Sequence, residues 1–171
     1  MQTIEIEQTF DFPLEKLIEA RVARYHHKKL WPEIEDSKIV DNKKIGNKVI
    51  EKRITRVSIA KNSPINRILK YNSVEIVENT IFDSDEKIYT LETKLKNPSL
   101  LIDITEKTVH REFDENGKIK NKRIIKIFAT VRIPLLGIMI EKALLNEFAK
   151  RSAEDEKRIL EFYQTNLEKK D

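Results

Sequence analysis

Residues 73–133 read as a run of strands with no helix signal between them, and one long helix follows. That order constrains the fold more than any other feature of the chain. Consecutive antiparallel strands with alternating polarity make a sheet that is wet on one face and dry on the other, and the dry face needs a cover. The strands are read over 73–82, 87–96, 100–114 and 118–133. Asn116-Gly117 joins the last two as the strongest hairpin signal present, since both residues tolerate positive φ. In the final strand Ile125, Ile127, Ala129, Val131 and Ile133 share one face. The helix is expected from Pro134 to about Asn166, roughly 50 Å at 1.5 Å per residue. It alone is long enough to cover the sheet.

Upstream, TIEIEQTF (3–10) alternates as a half-buried strand, and Pro13 suits the first turn of a helix running from Leu14 to about Lys29. Trp31-Pro32 ends that helix. Strands are expected near 34–41 and 48–59, joined through Gly46. A short helix over 64–70, with Ser63 as its N-cap, is a candidate lid. Strand, helix, two strands, short helix, strands and a closing helix is an α+β pattern in one domain, 1–171.

The junction VRIPLLGIMIEKALLNEF, 131–148, is almost free of polar residues in a chain that is 36% charged. It is too short and too soon interrupted by Glu141 and Lys142 for the roughly 20 residues of a membrane-spanning helix. The reading is a strand end, a helix start and the first turns of the covering helix, with Gly137 allowing close approach. If Leu136, Ile140 and Leu144 are left uncovered, membrane docking gains on simple ligand storage. The N-terminus lacks a basic n-region and an apolar h-region, so a cytoplasmic protein is expected.

Composition excludes several chemistries. With 3 Gly there is no glycine-rich phosphate loop, and with 0 Cys there is no disulfide, thiolate zinc site or cysteine nucleophile. His26 and His27 are adjacent, which is poor chelating geometry on a helix, so no metal and no cofactor are expected. The net charge of +4 is spread among nearly equal numbers of acids and bases, and no basic stripe interleaved with aromatics points to nucleic acid. Lys28-Lys29-Leu30-Trp31 and KIKNKR (118–123) are patches that could touch an anionic membrane surface transiently. Glu154, Asp155 and Glu156 read as a solvated, charge-laced helix face.

This order resembles the helix-grip fold of the START-like (SRPBCC) superfamily, in which a curved antiparallel sheet wraps a long C-terminal helix around an elongated apolar cavity. IPLLGIMIEK (133–142) looks like the strand-to-helix junction of an uncharacterised bacterial START-like family. TFDFP (9–13), Arg24-Tyr25 and VEIVENTIFDSDEKIYTLETKLKN (74–97) look like parts of the PRELI-type lipid-transfer family. That second resemblance implies that Arg24 meets a lipid phosphate and that Arg56 is a basic strand residue near it. The family's Pro-Asn is here His26-His27, and its C-terminal lysine falls near Asp155.

The resemblance and the pattern together imply a binding module for a hydrophobic small molecule or lipid. Ala129 and Val131 would leave room for it, Leu145, Phe148 and Ala149 would wall it, and Ser152, Glu156 and Arg24 would orient it. Two other readings stay open. One is a polyketide-cyclase-like enzyme using Glu156 or His110, and the other is an interaction domain whose interior is filled by its own side chains.

Overall fold

The computed structural model describes residues 1–63, 66, 67, 71–96 and 101–168. In chain order the elements are β1 (Gln2–Phe10), α1 (Leu14–Ala23), β2 (Ile34–Ile45), β3 (Lys48–Ser58), β4 (Ser73–Asp83), β5 (Ile88–Leu95), β6 (Ile102–Glu115), β7 (Lys118–Val131) and α2 (Gly137–Phe162). A π-helical turn, Tyr163–Leu167, ends the described chain's last helix and stacks Tyr163 on Phe12 at 4.1 Å. The seven strands form one antiparallel sheet in the order β1-β7-β6-β5-β4-β3-β2. Every neighbour except β1–β7 is a sequence neighbour, so the sheet is a meander whose first strand closes beside its last. It curves around α2, as the helix-grip expectation required.

The hairpin signal takes its expected form: Asn116 and Gly117 both lie at positive φ, and the Asp114 carboxylate accepts from the Gly117 N–H at 2.9 Å. On β7, Ile125, Ile127, Ala129 and Val131 are buried, while Lys126 and Lys122 point outward to Glu5 and Glu7 of β1. Much of the basic charge is used in such cross-strand pairs. At the opposite edge, β2 is exposed along nearly its whole length, and two bulges interrupt its pairing with β3.

Two helix boundaries differ from expectation. α1 ends at Ala23 rather than near Lys29, because the chain tightens into turns in which the His26 and His27 N–H groups both donate to the Ala23 carbonyl. Adjacent residues on a helix diverge by about 100°. The tighter turn lets Arg24 and Tyr25 reach the same carboxylate, Glu78. α2 begins at Gly137 rather than Pro134, because Leu135 adopts a left-handed backbone (φ 65°) that a helix cannot contain. The candidate lid 64–70 lies outside the described residues apart from Asn66 and Arg67. Ser63 does accept from the Asn66 N–H, as an N-cap would.

The core has two parts. Ile102, Ile104, Ile125, Ile127, Ala129 and Val131 pack on Leu144, Leu145 and Ile59 near the start of α2. Phe10, Phe12, Leu14, Leu17, Ala20, Trp31 and Ile34 pack on Ile159 near its end. Each Val, Leu, Ile or Phe side chain among them, fully buried, contributes about 1.5–3 kcal/mol. The first core depends on Gly137. A Cβ there would lie 2.5 Å from the Val131 carbonyl oxygen, which is backbone and cannot step aside. Gly137→Ala is expected to lower stability by about 1–2 kcal/mol, even though alanine favours a helix by roughly 1 kcal/mol. Urea denaturation of the two proteins measures it, and an unchanged midpoint would refute the close approach.

Candidate functional site

Between the two cores the interior turns polar and then opens. From β1, Gln8 points inward, its carboxamide N–H donating to the Ser152 carbonyl at 3.0 Å. From β7, Arg123 donates to Gln8 Oε1 at 3.2 Å and to Asp155 Oδ2 at 2.9 Å. From α1, Arg21 donates to the same Asp155 oxygen at 3.4 Å. Trp31, after α1, donates its indole N–H to the other oxygen at 3.0 Å. Asp155 is thus held by three elements. A second knot surrounds Glu78 of β4, which accepts from Arg24, from Tyr25 Oη at 3.1 Å and from Thr55 Oγ1 at 2.6 Å. Arg53 lies over the Tyr25 ring at 4.0 Å.

Burial alone would raise both carboxyls, but the arginines win. Asp155 is held well below the ordinary carboxylate range by Arg123, then Arg21 and Arg24. Glu78 is lowered by Arg24 and the Thr55 hydroxyl. Burial pushes Tyr25 up to about 12. His110, opposite Tyr89 on β5 and Arg123 on β7, is fully buried with both ring nitrogens unpartnered among the described residues. Burial, with Arg123 and Arg21 nearby, holds it well below its usual value.

Above these charges lies a cavity of about 640 Å³. Its walls are apolar on the sheet side (Val57, Ile59, Val74, Ile76, Leu95, Ile104) and on Phe148 of α2. Its polar lining includes Arg24, Glu78, Arg123, Ser152 and Asp155, with Thr93 and Glu106 on the sheet and Glu147, Arg151 and Glu154 on α2. At the rim, Arg158 of α2 pairs with Glu33 at 2.5 Å. Among the described residues no helix is long and apolar enough to cross a membrane.

Of the expected ligand contacts, Arg24, Phe148 and Ser152 line this cavity. Ala129, Val131 and Leu145 are instead sealed in the first core. Ala149 and Glu156 are half-buried and outside the lining. The helical face was read about one residue too far round: seven residues beyond Phe148 comes Asp155, not Glu156. Asp155 therefore departs from the solvated face expected of it. Arg56 points out of the sheet to Glu35 and Ser73, and the strand's period of two puts Arg53 on the inner face instead. Gln8, Glu78 and Arg123 were missed, although each is a polar residue in phase with an apolar strand face. Parts of the two basic patches are engaged within the fold. Lys28 reaches the Ile34 and Glu35 carbonyls, Lys120 reaches Glu115 and Asp11, and Trp31 is buried.

No family model matches the chain, and no curated protein matches it. Solved structures do. Ara h 8.0201 aligns at 17% identity and a TM-score of 0.60, covering 96% of this chain and 99% of that one. The ZhuI aromatase/cyclase from Streptomyces sp. R1128 aligns at 11% identity and 0.62, covering 98% of each. A START superfamily protein from Mycobacterium smegmatis aligns at 13% identity and 0.57, covering 94% and 98%. The chain has the START-like helix-grip fold. These likenesses carry the fold, and they do not single out the PRELI-type family.

Two predictions test the buried charges. Asp155→Ala strands Arg21 and Arg123 without their carboxylate and is expected to cost about 3–5 kcal/mol in urea denaturation. His110 gives stability a pH dependence. The unfolded chain takes up a proton near pH 6.5 while the folded chain resists it, so stability falls as pH drops below about 6.5, by at most about 1.4 kcal/mol per unit. His110→Leu should flatten the change in urea midpoint between about pH 7.5 and 5.5.

Proposed function

We propose that the chain is a non-enzymatic binding module that holds a hydrophobic small molecule or lipid in the cavity between sheet and α2. The observation that carries this reading is the cavity itself. Its volume of about 640 Å³ falls in the range of small-molecule sites, and apolar side chains of the sheet and Phe148 line it together with buried polar groups such as Glu78 and Arg123. Arg24 and Arg123 each have a buried Nε–H with no acceptor among the described residues. Buried donors seek acceptors. The ligand that fits is an apolar body with a carbonyl or carboxylate at one end.

A cyclase-like enzyme is the second reading, since an aromatase/cyclase shares the fold. It would need an acid or base facing the cavity. The two groups expected to serve, His110 and Glu156, lie outside the lining, and of the carboxyls that do line it, Glu78 and Asp155 are held ionised by arginines, so neither is a proton donor near neutrality. Binding is therefore favoured over catalysis.

Extraction of the purified protein followed by mass spectrometry should yield an apolar ligand, and an environment-sensitive hydrophobic dye should bind and be displaced by fatty acids. Leu95→Trp, which fills the cavity from β5, is expected to reduce dye affinity by about tenfold or more with the fold intact. Arg24→Gln with Glu78→Gln removes both charges together, so that neither is left buried and unpaired, and should selectively weaken ligands that carry a carboxylate. Dye binding unchanged by Leu95→Trp would sink the assignment.

A further inference from the structure

The acids that line the cavity are not equivalent. Glu33 and Glu154 pair with Arg158, Glu147 with Arg151, Glu78 with Arg24 and Asp155 with Arg123. Glu106 of β6 alone forms no ion pair among the described residues. It accepts one hydrogen bond there, from the Thr108 hydroxyl at 3.0 Å. Strand register explains its place. Arg53, Glu78, Thr93 and Glu106 stand opposite one another on β3, β4, β5 and β6, so a polar row crosses the inner face of the sheet. The row stops at Ile127 of β7, which is buried in the first core. Beside it runs an apolar row, Ile76, Leu95 and Ile104, which belongs to the cavity wall. Glu106 therefore faces the open space from the edge of the polar layer. It acts on the buried Arg123 only through space: burial and Arg21 lower that guanidinium, and Asp155 and Glu106 oppose them. A carboxylate has about four acceptor sites, and a distant counter-charge uses none of them.

Thr93 supplies a matching group. It stands directly opposite Glu106, at the roughly 5 Å separation of cross-strand side chains, and lines the same cavity. Among the described residues its hydroxyl has no hydrogen-bond partner. A threonine hydroxyl donates and accepts, whereas a carboxylate only accepts. The pair matches a ligand hydroxyl that donates to Glu106 and accepts from Thr93. A ligand carboxylate at this point would meet the like charge of Glu106, and an ammonium group would enter a space that Arg24 and Arg123 also line. An uncharged donor escapes both costs, and the apolar wall beside it strengthens the bond. Glu78 and Glu106 lie two strands apart, roughly 10 Å. The hydroxyl is thus a different group from the end of the ligand that Arg24 meets.

We propose that the ligand of this cavity carries a hydroxyl group and that Glu106 and Thr93 recognise it. The proposal rests on the reading of the cavity as a binding site. Displacement of the hydrophobic dye from the full chain is measured with dodecanol, its methyl ether, dodecylamine and dodecanoic acid. The alcohol is expected to displace the dye at a concentration about tenfold lower than the ether, which keeps the apolar body and lacks the donor. Glu106→Leu should abolish that difference. The near-isosteric Thr93→Val should reduce it by about threefold. Dodecanoic acid should displace the dye from Glu106→Leu at least as well as from the unaltered chain, because a like charge has gone. Equal displacement by alcohol and ether, stronger displacement by the amine than by the alcohol, or an alcohol preference that survives both substitutions would overturn the proposal and leave the cavity reading standing. Dye binding that is absent, or untouched by Leu95→Trp, would remove the cavity reading and the proposal with it.

Discussion

The Asp155 carboxylate is the contact on which the arrangement depends. A buried charge on a helix is costly unless it is paired and fully hydrogen-bonded. Here Arg123 brings in β7, Arg21 brings in α1, and the Trp31 indole brings in the connection after α1. The lower half of α2 is therefore located by directional bonds, whereas its upper half is located by apolar packing and by the close approach at Gly137. Directional bonds fix rotation about the helix axis in a way that oily contact cannot. That rotation decides which side chains face the interior.

The cavity follows from this division. Above the charged layer, Phe148 and the inner faces of β3 to β6 do not fill the concavity of the sheet. The polar layer forms a floor that neither core can extend across, because apolar groups placed there would strand the arginines. Two cores with a charged septum beneath the space between them make a compartment with one wet end and oily walls. This is an architecture suited to orienting an amphipathic guest.

Much of the fold was legible in the sequence. All seven strands were legible, although β2 runs on to Ile45 rather than ending near 41, Asn116-Gly117 placed the hairpin, and the length of the last apolar pattern identified the covering helix. The site was less legible for specific reasons. Arg56 and Arg53 differ only by strand parity, which depends on which face of an exposed-edge ribbon turns inward. Asp155 sits in an acidic run whose neighbours Glu154 and Glu156 are ordinary surface groups, so composition hid the one that is buried. Helix periodicity carried an error of about one residue. That small rotation exchanged Asp155 for Glu156, moved Leu145 from wall to packing and left Ala149 outside the lining. The early end of α1 was hidden as well, because the turn that follows it brings Arg24 and Tyr25 to a carboxylate more than fifty positions away.

The open edge of the sheet has a consequence of its own. A seven-stranded sheet that does not close presents unpaired backbone groups on its last strand, a template for strands of other molecules. On β2 the side chains are largely charged, with Asp36, Lys38, Asp41, Lys43 and Lys44 all in its length, and its two bulges break the regular spacing that an incoming strand would need. A protein with an oily compartment risks polymerising through its backbone whenever it is concentrated. The irregular, charged edge lowers that risk, and the apolar surfaces elsewhere can be kept for use.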